Sequence, residues 1–228
     1  MIFFEGITKT YTNSKPATVL DSVTFAVEPN EFLSIVGQSG AGKTTLLKLL
    51  LVEERPTAGS VFFESRDVHR IPARELPYYR RKIGVVFQDF RLLPSKNAYE
   101  NIAFGMEAAG KTDGEIAEDV PQVLELVGLA EKAASFPHEL SGGEKQRVAI
   151  ARAIINQPDV IIADEPTGNL DPLNAWEIVK LLQKINELGT TVILATHDKD
   201  VINSLGKRVI TLERGKVVRD EREGRYIL

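Results

Sequence analysis

Residues 37–44 read Gly-Gln-Ser-Gly-Ala-Gly-Lys-Thr and satisfy every fixed position of the pattern G-x-x-x-x-G-K-[ST]. No other stretch restricts the fold as strongly, because the pattern works only between a strand and a helix. Glycines let the chain turn tightly and bring backbone N–H groups against phosphate oxygens with no Cβ in the way. Lys43 carries an ammonium suited to β- and γ-phosphates, and the Thr44 hydroxyl is a hard ligand suited to Mg²⁺. The flanks agree. Residues 32–36 (Phe-Leu-Ser-Ile-Val) predict a buried strand, and residues 43–52 predict a leucine-rich helix whose amino end faces the phosphates. The candidate phosphate cradle is therefore Gly37, Gln38, Ser39, Gly40, Ala41, Gly42, Lys43, Thr44 and Thr45.

A chain of 228 residues can form one large α/β domain or a domain with a sizeable insert. With 43% hydrophobic and 26% charged residues it carries no signature of disorder. A net charge of −4 with mixed signs argues against gripping a nucleic-acid backbone, so no direct nucleic-acid contact is expected. Cysteine is absent, which excludes disulfides, thiolate metal sites and cysteine nucleophiles and fits a reducing compartment. No apolar run approaches the roughly 20 residues that span a bilayer, and the first residues, Met1-Ile2-Phe3-Phe4-Glu5, lack the basic segment of a signal peptide. A soluble protein is expected, with any membrane crossing left to another chain.

Along the chain, residues 1–6 and 22–28 predict strands of an antiparallel lead-in, with Asn13-Ser14-Lys15-Pro16 as a turn and Tyr11 nearby. A break at 56–59 precedes a short strand at 60–64 and a polar connection over 67–81. Residues 83–87 predict a strand ending on Gln88. From 97 to 156 helix formers dominate, with helices at 98–109, 113–127 and 142–156 and stops at Gly110 and Gly128. Residues 160–163 (Val-Ile-Ile-Ala) predict a buried parallel strand with Asp164-Glu165 at its carboxyl end. A helix at 173–188, a strand at 191–195 with His197 just beyond, a helix after Asp200 and a hairpin of 209–213 with 216–219 complete the pattern. Residues 220–225 read as a solvated, mixed-charge edge.

Four predicted strands thus deliver Gly37, Gln88, Asp164 and His197 at their carboxyl ends, where ligands bind in open α/β sheets. Asp164 suits a second Mg²⁺ holder acting through coordinated water. Glu165 suits the group that orients or deprotonates an attacking water, and His197 one that hydrogen-bonds a γ-phosphate. His69 and His138 lack such placement and read as structural. A second motif is Leu140-Ser141-Gly142-Gly143-Glu144-Lys145-Gln146-Arg147. Ser141 with Glu144 forms a capping box, so a helix should begin at Gly142 with a positive dipole end. Two glycines in a first turn are costly, which suggests that a phosphate approaches this backbone closely.

The phosphate loop, Gln88, Leu-Ser-Gly-Gly-Glu, Asp164-Glu165-Pro166-Thr167, Asn169-Leu170-Asp171 and His197 together resemble the ATP-binding cassette (ABC) ATPases, in order and over nearly the whole chain. The resemblance implies an α/β fold: a phosphate-loop NTPase core with an antiparallel β lead-in over 1–87 and 157–228, and a helical subdomain over about 88–156. It implies ATP and Mg²⁺ as cofactors, hydrolysis to ADP and phosphate, and a head-to-tail homodimer in which each ATP is sandwiched between one subunit's phosphate loop and the other's Leu-Ser-Gly-Gly segment. By resemblance Tyr11 stacks on adenine and Gln88 contacts Mg²⁺ and senses a membrane partner. Ser141 and Gly143, with Gly142 and Glu144 beside them, face the γ-phosphate in trans, and Asp171 lies on the loop coupling the two sites. Residues 87–94 (Phe-Gln-Asp-Phe-Arg-Leu-Leu-Pro) and 99–104 (Tyr-Glu-Asn-Ile-Ala-Phe) resemble the bacterial cell-division branch of the family. That branch implies an integral membrane subunit of the FtsX type, activation of cell-wall hydrolases and a peripheral place at the cytoplasmic face of the plasma membrane. Leu92-Leu93 reads either as a docking surface for that subunit or as core. Residues 164–172 are shared with the ATPases of lipoprotein release and macrolide export, which stay open as alternatives beside a non-hydrolytic, nucleotide-gated scaffold.

Overall fold

The computed structural model describes residues 1–12, 16–222 and 224. In chain order the strands are β1 (Ile2–Tyr11), β2 (Ala17–Val27), β3 (Phe32–Val36), β4 (Ala58–Phe63), β5 (Arg66–Asp67), β6 (Ile83–Phe87), β7 (Val160–Asp164), β8 (Thr191–Thr196), β9 (Arg208–Glu213) and β10 (Lys216–Glu221). The helices are α1 (Lys43–Leu50), α2 (Leu76–Arg81), α3 (Ala98–Ala109), α4 (Asp113–Leu126), α5 (Gly142–Ile154), α6 (Pro172–Glu187) and α7 (Lys199–Leu205). The chain forms two compact units, residues 1–78 with 189–228 and residues 79–188.

In the first unit β1 pairs antiparallel with both β2 and β4. The lead-in strands run longer than their sequence pattern predicts. Register shifts in β1 between Phe4 and Ile7 and left-handed residues at Gly6 and Ser22 interrupt the alternation without ending the pairing. The turn expected at Asn13-Ser14-Lys15-Pro16 falls largely on residues 13–15, outside the described residues. β3 lies between β8 and β9, parallel to both, and β10 returns antiparallel to β9. Every residue of β3 and β8 is buried, as expected of strands covered on both faces. The polar connection after β4 is more ordered than its sequence suggests: it holds β5, two 3₁₀ turns and α2. The charged edge around Asp220 is likewise structural in part. Arg208 donates to both Asp220 carboxylate oxygens at 2.7 Å, to Glu31 Oε1 at 3.0 Å and to the Ala26 carbonyl at 2.9 Å.

In the second unit β6 and β7 run parallel, with Ile83 beside Val160 and Phe87 beside Asp164. Helix α5 packs against β6 so closely that a Cβ at Gly84 would stand 2.5 Å from the Ala153 carbonyl oxygen. The helices begin where the capping pattern places them. Asn97 with Glu100, Thr112 with Glu115 and Ser141 with Glu144 form capping boxes, and Gly110 closes α3 in the left-handed conformation. The apolar faces of α3, α4 and α5 bury Ile102, Met106, Val120, Leu124, Val148 and Ile150.

Candidate functional site

The phosphate loop leaves the buried end of β3 and enters α1 through Gly42, whose φ of 107° is left-handed. A side chain there would be both strained and blocked, because a Cβ would meet Leu20 Cδ2 at 2.7 Å and the Val19 carbonyl oxygen at 2.9 Å. Lys43 is only 6% exposed, and its ammonium donates to the Gly37 carbonyl at 2.8 Å and to that of Gln38 at 3.4 Å. The loop's own carbonyls thus hold the cation over the loop. Thr44 is exposed and Thr45 half-buried. Gln38, Ser39 and Gly40 are exposed and, with the buried Ala41, line a cleft of about 280 Å³ together with Leu212, Glu213 and Arg214. Val36 sits in register with Thr196, so the phosphate loop and His197 leave neighbouring parallel strands at the same carboxyl edge. Tyr11 ends β1 half-buried, with Lys9 Nζ 4.8 Å from its ring centroid.

The second unit repeats the arrangement with acidic and amide groups. Because Phe87 and Asp164 are register partners, Gln88 and Glu165 follow at adjacent strand ends. Glu165 has φ 50°, a left-handed conformation that costs a non-glycine residue about 1–3 kcal/mol and is found mostly where function demands it. Its carbonyl accepts from Gly168 N at 3.1 Å. Gln88 Nε2 donates to Asn169 Oδ1 at 3.1 Å and Asn169 Nδ2 to the Gln88 carbonyl at 3.0 Å, a reciprocal pair that fixes the glutamine amide. Asp171 caps α6, accepting from Leu173 N, Asn174 N and Asn174 Nδ2. Those bonds, the Asn174 side chain first, hold its carboxyl below the usual range.

Ser141 and Glu144 exchange bonds as expected: Glu144 N donates to Ser141 Oγ at 3.2 Å and Ser141 N to Glu144 Oε2 at 2.7 Å. The Ser141 backbone N–H is the chief cause of the lowered Glu144 pKa. Both glycines that follow also have a reason inside the chain. A Cβ at Gly143 would run into the side chain of Asn174, and one at Gly142 would lie 3.1 Å from Leu170 Cδ2.

Several residues in this unit carry roles that the motifs did not signal. Gln146 is completely buried and its Nε2 donates to the Phe87 carbonyl at 3.3 Å. Phe90 and Arg91 are both left-handed, and Arg152 donates to their carbonyls. Asn101, also completely buried, bonds to Leu93, Lys96 and Asn97. Gln146 stands between Lys145 and Arg147, ahead of the buried run Val148 to Ala151, so its chain neighbours gave no sign of its burial. Leu92 and Leu93 are half-buried, between the two readings made of them.

At the neighbouring ends of β6 and β7 the Gln88 amide and the Asp164 carboxylate offer oxygen donors of the kind that Mg²⁺ combines with substrate phosphates. Among the described residues no group of three or more His, Asp or Glu could hold a metal by itself. Among those residues no helix is long and apolar enough to cross a membrane.

Comparison with known proteins identifies the family. Residues 20–168 match the ABC transporter family. The chain is 50% identical over 226 residues to the cell-division ATP-binding protein FtsE of Bacillus subtilis (strain 168), covering 99% of this chain and 98% of that one. It is also 50% identical over 226 residues to the FtsE of Streptococcus pneumoniae serotype 2 (strain D39 / NCTC 7466), covering 99% and 97%. Among solved structures, the ATP-binding cassette MJ0796, dimeric in a post-hydrolysis state bound to ADP and Pi, superposes with a TM-score of 0.88 at 36% identity, covering 99% of this chain and 100% of that one. With the phosphate loop on β3, the carboxylate pair on β7 and a capped Leu-Ser-Gly-Gly helix in one chain, and with relatives matched end to end, this protein belongs to the ABC family of ATPases.

Proposed function

We propose that the chain is the nucleotide-driven motor of an FtsE-like complex: it binds ATP with Mg²⁺, closes as a head-to-tail homodimer, hydrolyses the ATP, and passes the movement to an FtsX-type membrane subunit in bacterial cell division. The observation that carries the hydrolytic reading is the end of β7, where Asp164 and a left-handed Glu165 stand beside the Gln88 end of β6.

In this reading Lys43 exchanges its bonds to the Gly37 and Gln38 carbonyls for phosphate oxygens, and the loop N–H groups take the rest of the phosphate. Thr44, Gln88 and Asp164 would hold Mg²⁺, which when bound neutralises charge on the phosphates. Glu165 accepts the proton side of the attacking water, and His197 donates to the γ-phosphate and steadies that water. Tyr11 stacks on the adenine. Ser141 to Glu144 of the partner subunit complete the site from the opposite side, with Asp171 holding the start of α6 between the two sites. The dimeric MJ0796 cassette with ADP and Pi supports the sandwich, and the full-length identity with FtsE supports the cell-division assignment. The chain then works from the cytoplasmic face of the plasma membrane as a peripheral subunit, and regulation of cell-wall hydrolases lies downstream.

Glu165→Gln tests the chemistry. Turnover should fall by about 10²–10⁴-fold, while ATP still drives dimerisation in size-exclusion chromatography; unchanged turnover would sink the assignment. Affinity purification from membranes tests the partner. Recovery of a lipoprotein-release or exporter subunit in place of an FtsX-type one would overturn the cell-division reading.

A further inference from the structure

The segment after β6 is held in an unusual way. Phe90 (φ 61°) and Arg91 (φ 48°) are consecutive left-handed residues, neither of them glycine. Such residues persist only where their surroundings over-determine them. Here the hold comes from α5. Arg152 Nη1 donates to the Arg91 carbonyl at 2.8 Å and Nη2 to the Phe90 carbonyl at 3.1 Å. One planar guanidinium therefore spans both strained peptides, a geometry that an ammonium cannot reproduce. Burial lowers the Arg152 pKa, with no neighbouring carboxylate raising it. The helix thus keeps a half-buried charge that bonds to loop carbonyls. On the same helix, Gln146 anchors the Phe87 carbonyl at 3.3 Å. The loop also closes on itself, with the Arg91 guanidinium 3.6 Å above the Phe87 ring and its Nε 3.3 Å from Asp89 Oδ1. Gln88 stands between these anchors.

We propose that Arg152 is a positioning residue that locks the Gln88 loop to α5, so that the loop and the Leu-Ser-Gly-Gly segment at the amino end of the same helix move as one body. The inference rests on the ATPase reading for its functional consequence, but not for the lock itself. A displacement applied at the loop then moves Ser141 to Glu144 through a 13-residue helix rather than through flexible backbone. Gln88 keeps its place relative to Asp164 only while the lock is closed.

The test uses the full-length protein with Arg152→Ala and Arg152→Lys, read by amide hydrogen exchange and by separate measurements of kcat and ATP affinity. Arg152→Ala should speed exchange of the amides of residues 88–93 by about tenfold or more and leave α6 and the phosphate loop unchanged. Turnover should fall about tenfold while the Kd for ATP moves less than about threefold, because the loop that binds phosphate is untouched. Arg152→Lys, which satisfies one carbonyl at a time, should fall between wild type and Ala in both readouts. Unchanged exchange at 88–93 in both variants overturns the lock, whatever the turnover. A global rise in exchange in the Ala variant passes the decision to Lys, where a rise confined to 88–93 supports the lock and its absence refutes it. If the wild-type protein does not hydrolyse ATP, the function proposed above fails while the exchange experiment still decides the role of Arg152.

Discussion

Removing the side chain of Asn101 should loosen the connection between the Gln88 loop and α3. Asn101 is completely buried, accepts from Leu93 N at 2.8 Å, and donates to the carbonyls of Leu93 at 3.1 Å, Lys96 at 2.8 Å and Asn97 at 3.0 Å. Two of those carbonyls keep a backbone donor without it: Asn97 O accepts from Asn101 N at 2.9 Å and Leu93 O from Lys96 N at 3.1 Å. The groups left short in Asn101→Ala are therefore Leu93 N and Lys96 O. At about 1–3 kcal/mol for each deprived group, and nearer the lower value because the surrounding segment is only half-buried, the loss is about 2–4 kcal/mol. For a chain of this size that corresponds to a fall in Tm of about 4–16 °C. Asn101→Asp keeps the shape but points a carboxylate at three carbonyl oxygens. Its folded pKa must rise above the unfolded value of about 3.9, so the folded state binds the proton more tightly and stability falls as pH rises through that range. Urea unfolding at pH 4 and pH 7 measures both effects. An Ala variant within about 0.5 kcal/mol of wild type, or an Asp variant no worse at pH 7 than at pH 4, refutes the reasoning.

Three further outcomes follow from the same geometry. Gly143→Ala pushes a Cβ into Asn174 and should cost about 1–3 kcal/mol despite the better helix propensity of alanine; a double-mutant cycle with Asn174→Ala should show favourable coupling, and strict additivity would contradict the contact. The lowered pKa of Glu144, caused first by the Ser141 N–H, means that its ionised form contributes stability above the ordinary carboxylate pKa and loses it as pH falls through the depressed value. The stability difference between wild type and Glu144→Gln should therefore be constant near neutrality and shrink in acid, as followed by denaturant unfolding. Arg208→Lys cannot reach Ala26 O, Glu31 and Asp220 together, and a loss of about 1–3 kcal/mol is expected by thermal melting.

Local signals proved sufficient wherever a motif and its flanking elements lie next to each other in the chain. Residues 32–36 form β3, 83–87 form β6, and Ser141 and Glu144 make the capping box their spacing demands. The ends of β1 and β2 were less readable because bulges break a two-residue period while the hydrogen-bonded ladder continues across them. The left-handed turns at Phe90, Arg91 and Glu165 left no trace in residue type, since none is Gly, Asn or Asp. The conformations of Phe90 and Arg91 are held by a partner far along the chain, Arg152, which is 61 residues from Arg91. Gly143 shows another case: the sequence suggested an approaching phosphate, and a neighbour within the chain, Asn174, by itself demands the glycine. The mixed-charge run near Asp220 is largely exposed where it is described, as its composition suggests, but composition could not reveal that Arg208 lies across the strand pair.

The amino end of α1 sets this helix apart from α3, α4, α5 and α6, each of which has a side-chain cap. Gly42 supplies no side-chain cap, and the first turn contains no acidic residue. An anion that binds there acts as a removable cap, so the melting temperature of the protein becomes a gauge of nucleotide occupancy. At a concentration 100 times its Kd, a ligand specific to the folded state adds about 2.7 kcal/mol of stability. Pyrophosphate, ADP and ATP should raise the melting curve in proportion to how well each completes that helix, and the cell's nucleotide supply would then help decide how firmly the chain stays folded.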